Sequence, residues 1–184
     1  MRRHDDVKEA LAGWLGERYG EAAVKLEQHV PAWDRYDEVR QEHQLAVLDI
    51  IVARPEGTVA VDVSVADVSA PVLAAHARAR AFGVAARVRE REKHRRYPGQ
   101  ALVAAALETG GRAGGELNAF LRSAASTVPW ERAEQLRDVR QRLAAALQRG
   151  NAAMMLSAAG SQLHPWLSAL RPAGGGDARR LRRR

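Results

Sequence analysis

Val7, Leu11, Trp14 and Leu15 fall on one stripe of a helix between Asp5 and Tyr19, and Asp5 stands where such a helix takes its cap. From Ala23 to Val30 the period shortens to two. Val24, Leu26 and Gln28 alternate with Lys25, Glu27 and His29, which predicts a strand that Pro31 ends. Residues 32–43 are mostly polar and read as a connection. Two denser apolar runs follow, 45–52 and 58–65, joined by Arg54-Pro55-Glu56-Gly57, the composition of a hairpin turn.

Beyond Pro71 the pattern changes. Residues 72–97 are rich in Ala and Arg, with few breakers apart from Gly83, and predict one long helix stopped by Pro98-Gly99. Ala101 to Leu107 reads as a buried strand that Glu108-Thr109-Gly110-Gly111 ends, and Glu116 to Ala125 as a helix. Leu136, Val139, Leu143 and Leu147 mark one face of a helix over 130–148, and 151–170 continues helical up to Pro172. The order predicts an α/β fold: a central mixed sheet of about four strands flanked by helices, with extra C-terminal helices. The expected organisation is a core over 1–128, a helical extension over 129–172 and a flexible Gly/Arg tail over 173–184. There is no internal repeat.

Composition narrows this picture. A chain of 184 residues fits one domain of ordinary size. Its hydrophobic content of 46% is largely alanine with only 5% aromatic, which favours helices packed closely on a modest sheet. The absence of cysteine excludes disulfides and thiolate zinc sites. No run reaches membrane-spanning length and the first residues lack the apolar core of a signal peptide, so a soluble intracellular protein is expected, with no membrane partner. Net charge is +7, falling to +2 without the five arginines among residues 179–184, and points to phosphate-rich partners. His4, His29, His43, His76, His94 and His164 are scattered without metal-ligand spacing, which argues against a histidine zinc site.

Asp49 and Asp62 carry the strongest chemical signal. Each is a lone carboxylate inside an apolar run, costly to bury unless paired, hydrogen-bonded or on a metal. Alternation puts Asp49 with Val47 and Ile51, and Asp62 with Ala60 and Ser64, and hairpin pairing can bring both acids to one face. Magnesium prefers one or two carboxylates and keeps several waters, as phosphodiester hydrolysis requires. Ser64 stands two residues after Asp62, where a lysine would be expected. The long helix can supply the cation instead, because Arg89, Lys93 and Tyr97 recur every four residues on one face. Lys93 is the only lysine after Lys25, in a chain that otherwise uses arginine.

Asp49, Asp62 thirteen residues later, and Lys93 with Tyr97 on the following helix resemble the PD-(D/E)XK superfamily. The nearest likeness is to the restriction-like endonuclease domain C-terminal to the reverse transcriptase of site-specific non-LTR retrotransposons. Further matches are Arg3-His4-Asp5, Glu27-Gln28-His29-Val30-Pro31, Leu48-Asp49-Ile50, Val61-Asp62-Val63, Glu92-Lys93 and Glu108-Thr109-Gly110-Gly111. They span roughly residues 3–125, and their order and spacing carry the likeness. Val47-Leu48 departs from the proline that commonly precedes the first acid.

The resemblance implies a restriction-endonuclease-like core in which Asp49 and Asp62 hold Mg2+ or Mn2+, and in which Lys93 replaces the usual strand lysine. It implies nicking of target DNA to prime reverse transcription, with element RNA or a reverse transcriptase region as further partners and a nuclear location. Tyr97 would contact the phosphate or orient a water, and Glu27 is a possible additional acid. Arg89, Arg95 and Arg96, with Arg78, Arg80 and Arg87, would track a nucleic-acid backbone. Two other readings stand beside this one: a non-catalytic nucleic-acid-binding module that keeps the fold, and a helical interaction protein whose partner surface is 130–170.

Overall fold

The computed structural model describes residues 2–68, 83–99 and 101–169. The chain divides into two compact units, Met1–Asn151 and Ala152–Arg184. All strands lie in the first. In order they are α1 (Arg2–Tyr19), β1 (Val24–His29), β2 (Arg35–Asp37), β3 (Glu42–Gln44), β4 (Val47–Arg54) and β5 (Gly57–Ala66), then α2 (Val84–Arg96), β6 (Leu102–Glu108), α3 (Gly115–Ala124) and α4 (Pro129–Ala169).

The fold is α/β, with a four-stranded mixed sheet in the order β1-β4-β5-β6 flanked by helices, as the hydrophobic pattern predicts. β1 and β5 both run antiparallel to β4, and β6 runs parallel to β5. The β4–β5 hairpin closes at Arg54 opposite Gly57, whose φ of +130° suits a residue without a side chain. The parallel pairing of β5 and β6 requires a crossover, which contains α2.

Two apolar clusters cover opposite faces of the sheet. On one, Val7, Leu11, Trp14 and Leu15 of α1 pack with Ile50, Val52, Val61, Val63, Ala105 and Leu107. Leu117, Phe120 and Leu121 of α3 and Val139, Leu143 and Leu147 of α4 complete that core. The other face carries a smaller cluster of Ala46, Leu48, Ala60, Tyr97 and Leu102, with Trp33 and Ile51 against it. Alternation along β5 therefore turns Val61 and Val63 to the large core, and Ala60 and Asp62 to the opposite face.

Three features differ from the sequence expectations. The stretch read as a connection over 32–43 contains β2 and most of β3, an antiparallel two-stranded sheet held by Arg35, whose guanidinium donates to Gln44 Oε1 at 2.8 and 3.0 Å. Short polar strands of this kind have no alternation to read. The helices expected over 130–148 and 151–170 are one helix, because Gly150 is accommodated without a break. The part of the expected long helix over 72–82, and the tail over 173–184, lie outside the described residues.

Candidate metal and phosphate site

Asp49 and Asp62 meet where β4 and β5 part. The ladder between these strands ends with Ile50 opposite Val61, so the next rung would set the two aspartates against each other. Like charges directly opposite disfavour pairing. The ladder stops there, and β4 changes the face it presents: Leu48 belongs to the small cluster, while Ile50, two residues on, belongs to the large core. Across from Asp49 in the β1–β4 register lies Glu27, at a left-handed φ of 52°. A non-glycine residue in that region holds local strain, which persists only where surrounding structure enforces it.

Each carboxylate has its own surroundings. Asp49 Oδ2 accepts the Val63 backbone N–H at 2.7 Å and lies 3.1 Å from His4 Nε2, which is also 3.1 Å from the Val63 carbonyl oxygen. Burial pushes the Asp49 carboxyl up, but His4, Asp62 and the Val63 N–H together outweigh it and hold the group below its usual range. The hydrogen bond to Asp49 raises His4 to about 9 against the opposing effect of burial, so the ring is an imidazolium at neutral pH.

Asp62 is nearly inaccessible, and burial pushes its carboxyl up to about 6. Lys93 opposes that shift and Asp49 adds to it. Lys93 Nζ lies 2.6 Å from Asp62 Oδ2. This short ion pair gives Oδ2 a charged partner, which is why Lys93 lowers the carboxyl against the effect of burial. Ser64 Oγ, on the same face of β5, is buried and has no hydrogen-bond partner among the described residues. Buried oxygens in that condition are uncommon, and a ligand or ion is one explanation for them.

The other residues singled out from sequence separate into two groups. Glu27 is exposed, and its Oε1 lies 2.5 Å from Nζ of the buried Lys8. Tyr97 is buried at the end of α2 with its ring 5.7 Å from that of Trp33, inside the small cluster. Arg89 pairs with Glu92 at 2.7 Å, and Arg96 lies over the Tyr97 ring at 5.2 Å. Arg95 is exposed beside Arg87 and Arg91, whereas Arg78 and Arg80 lie outside the described residues. The structure thus gathers Asp49, Asp62 and Lys93, puts Glu27 on Lys8, and packs Tyr97 as an apolar ring.

Sequence reasoning missed His4 and Lys8. A signal was present, because both sit on the Val7-Leu11-Leu15 stripe, where a charged residue needs a partner. Counting histidines by their spacing to one another conceals a ring that reaches a strand 45 residues away.

Among the described residues no three His, Asp or Glu side chains form a ready-made set of metal ligands. Two adjacent carboxylates do suit a hard divalent cation that keeps most of its waters. Fold and site together define an α/β protein with an acidic pair and a lysine at a strand fork. No family model matches the chain, and no curated protein matches it.

Proposed function

We propose that this protein is a metal-dependent DNA endonuclease of the PD-(D/E)XK kind, similar to the domain that accompanies retrotransposon reverse transcriptases. The observation that carries the proposal is the convergence of Asp49, Asp62 and the Lys93 ammonium at one fork. Asp49 and Asp62 would hold Mg2+ or Mn2+. That ion supplies Lewis-acid stabilisation of the scissile phosphate and a more acidic bound water. Lys93 places a compact positive charge beside the acids, where it stabilises charge developing on the phosphate oxygens. The Val63 N–H fixes the Asp49 carboxylate, so the acid needs no rearrangement before it binds.

Plasmid nicking in Mg2+ or Mn2+ tests this. Wild type nicks and chelator stops it; Asp62→Asn abolishes nicking while melting no lower than wild type, since it removes a buried charge. Lys93→Ala lowers the rate by about 10²-fold, the scale of losing one oriented charge in a site, with DNA affinity unchanged. Nicking by Asp62→Asn at the wild-type rate removes the site.

One observation favours a second reading, binding of nucleic acid without cleavage. The His4 imidazolium already bridges Asp49 Oδ2 and the Val63 carbonyl, giving the acid a permanent cationic partner. Under that reading wild type binds DNA, and no divalent ion elicits nicking.

A further inference from the structure

The five arginines of α2 fall into two groups. Arg89 is spent on Glu92 and Arg96 on the Tyr97 ring. Arg87, Arg91 and Arg95 are all exposed, and the one arginine of α2 found in an ion pair among the described residues is Arg89. Successive members are four residues apart, about 6 Å along the helix axis. They border a cleft of about 410 Å³ whose other walls are Glu90, His94 and Glu116.

The two acids in that cleft are already engaged inward. Glu90 is buried, accepts the Glu116 backbone N–H at 3.0 Å and serves the start of α3. Glu116 lies 2.8 Å from His94 Nε2 through both oxygens and accepts the Ala104 N–H at 3.1 Å. The hydrogen bonds of both acids thus run to groups other than the guanidinium row, while Arg87 acts on Glu90 only through its charge, lowering that carboxyl.

We propose that Arg87, Arg91 and Arg95 form a phosphate rail that holds consecutive phosphates of one strand of duplex DNA. The proposal rests on the nuclease reading for its partner and replaces Arg89 and Arg96 as backbone contacts. The axial step of the row is close to the separation of adjacent phosphates on a strand. Guanidinium forks match phosphate oxygens two at a time, which suits such a rail. An anionic membrane is the less suitable partner, because the apolar residues of α2 are only Val84, Ala85, Ala86 and Val88, with no Leu, Phe or Trp to insert. Lys93 lies towards the other side of the helix, turned to Asp62, so the rail and the acid pair are separate sites.

The test is fluorescence anisotropy of a short labelled duplex in chelator, over a range of salt, with Arg87→Gln/Arg91→Gln/Arg95→Gln in the full chain. A second triple variant, Arg122→Gln/Arg137→Gln/Arg149→Gln, removes the same charge from exposed positions on α3 and α4. The rail variant is expected to lose at least about tenfold in affinity at moderate salt, and to flatten the slope of log K against log salt by about 2 to 3. The second variant should stay within about threefold of wild type. Equal losses in both variants would mean that only net charge matters, and unchanged binding in the rail variant would leave the row without a role; either overturns the proposal. So does loss of binding to anionic vesicles with DNA affinity intact. A wild type that binds through the rail but never nicks would defeat the nuclease reading and leave the rail standing.

Discussion

Asp49 and Asp62 face each other across the fork, yet they are held in different states. Asp49 is kept ionised by His4 and the Val63 N–H, whereas burial holds Asp62 towards its protonated form up to about pH 6. The His4 ring gives this a measurable consequence. A histidine whose folded value is raised from 6.5 to about 9 contributes stability that is fully present below pH 6.5 and is lost as pH rises through about 9. Because the ring is about a third exposed, screening reduces the contribution to about 1 kcal/mol. In chelator, the melting temperature should therefore fall from about pH 7 to pH 10, and His4→Gln should flatten that fall. An identical pH profile in the variant would show that His4 does not carry the coupling. The aspartates and Lys93 were legible from sequence because lone charges interrupted apolar runs and a lone lysine stood in an arginine-rich helix. His4 was not, because its partner is set by tertiary packing.

At the scale of elements, the helices that position the site are started and seated by residues far away in sequence. α2 begins after Gly83 and α3 after Gly114, and neither glycine has a side chain with which to cap. Glu108 of β6 does it for α2, accepting the Ala85 N–H at 3.1 Å, and Glu90 does it for α3. Rules that seek a cap immediately before a helix cannot find such partners. α1 is seated by α4 in a comparable way. A Cβ on Gly150 would come within 2.6 Å of Arg3 Cα, and Arg3 Nη1 donates to Asn151 Oδ1 at 3.1 Å. Gly150→Ala should cost about 1 to 3 kcal/mol of stability by denaturant titration, although alanine favours a helix by about 1 kcal/mol. A variant as stable as wild type would mean that the helices can part freely. α1, β4 and β5 were readable from apolar patterning, and α2 and β6 from composition and breakers; β2 and β3 were not, being three residues each and polar.

At the scale of the molecule, the four-stranded sheet of the first unit has a large core on one side and the acidic pair towards the other. Among the described residues no helix is long and apolar enough to cross a membrane. If the fork takes up a divalent ion, folded protein is favoured over unfolded by mass action, by about 2.7 kcal/mol at an ion concentration one hundred times Kd. Mn2+ should thus raise the melting temperature of wild type progressively and leave Asp49→Asn unchanged; no shift in wild type would count against a resident ion. Element order conveyed the mixed sheet, but sequence could not say that the residues past 128 are needed to close its core, as Val139, Leu143 and Leu147 do. The contact between Arg3 and Gly150 has a temporal consequence as well. A ribosome releases the acid-bearing hairpin some eighty-four residues before the glycine that seats α1 beside it. For that interval of synthesis, the emerging polypeptide carries both carboxylates without the brace that settles the imidazolium against Asp49.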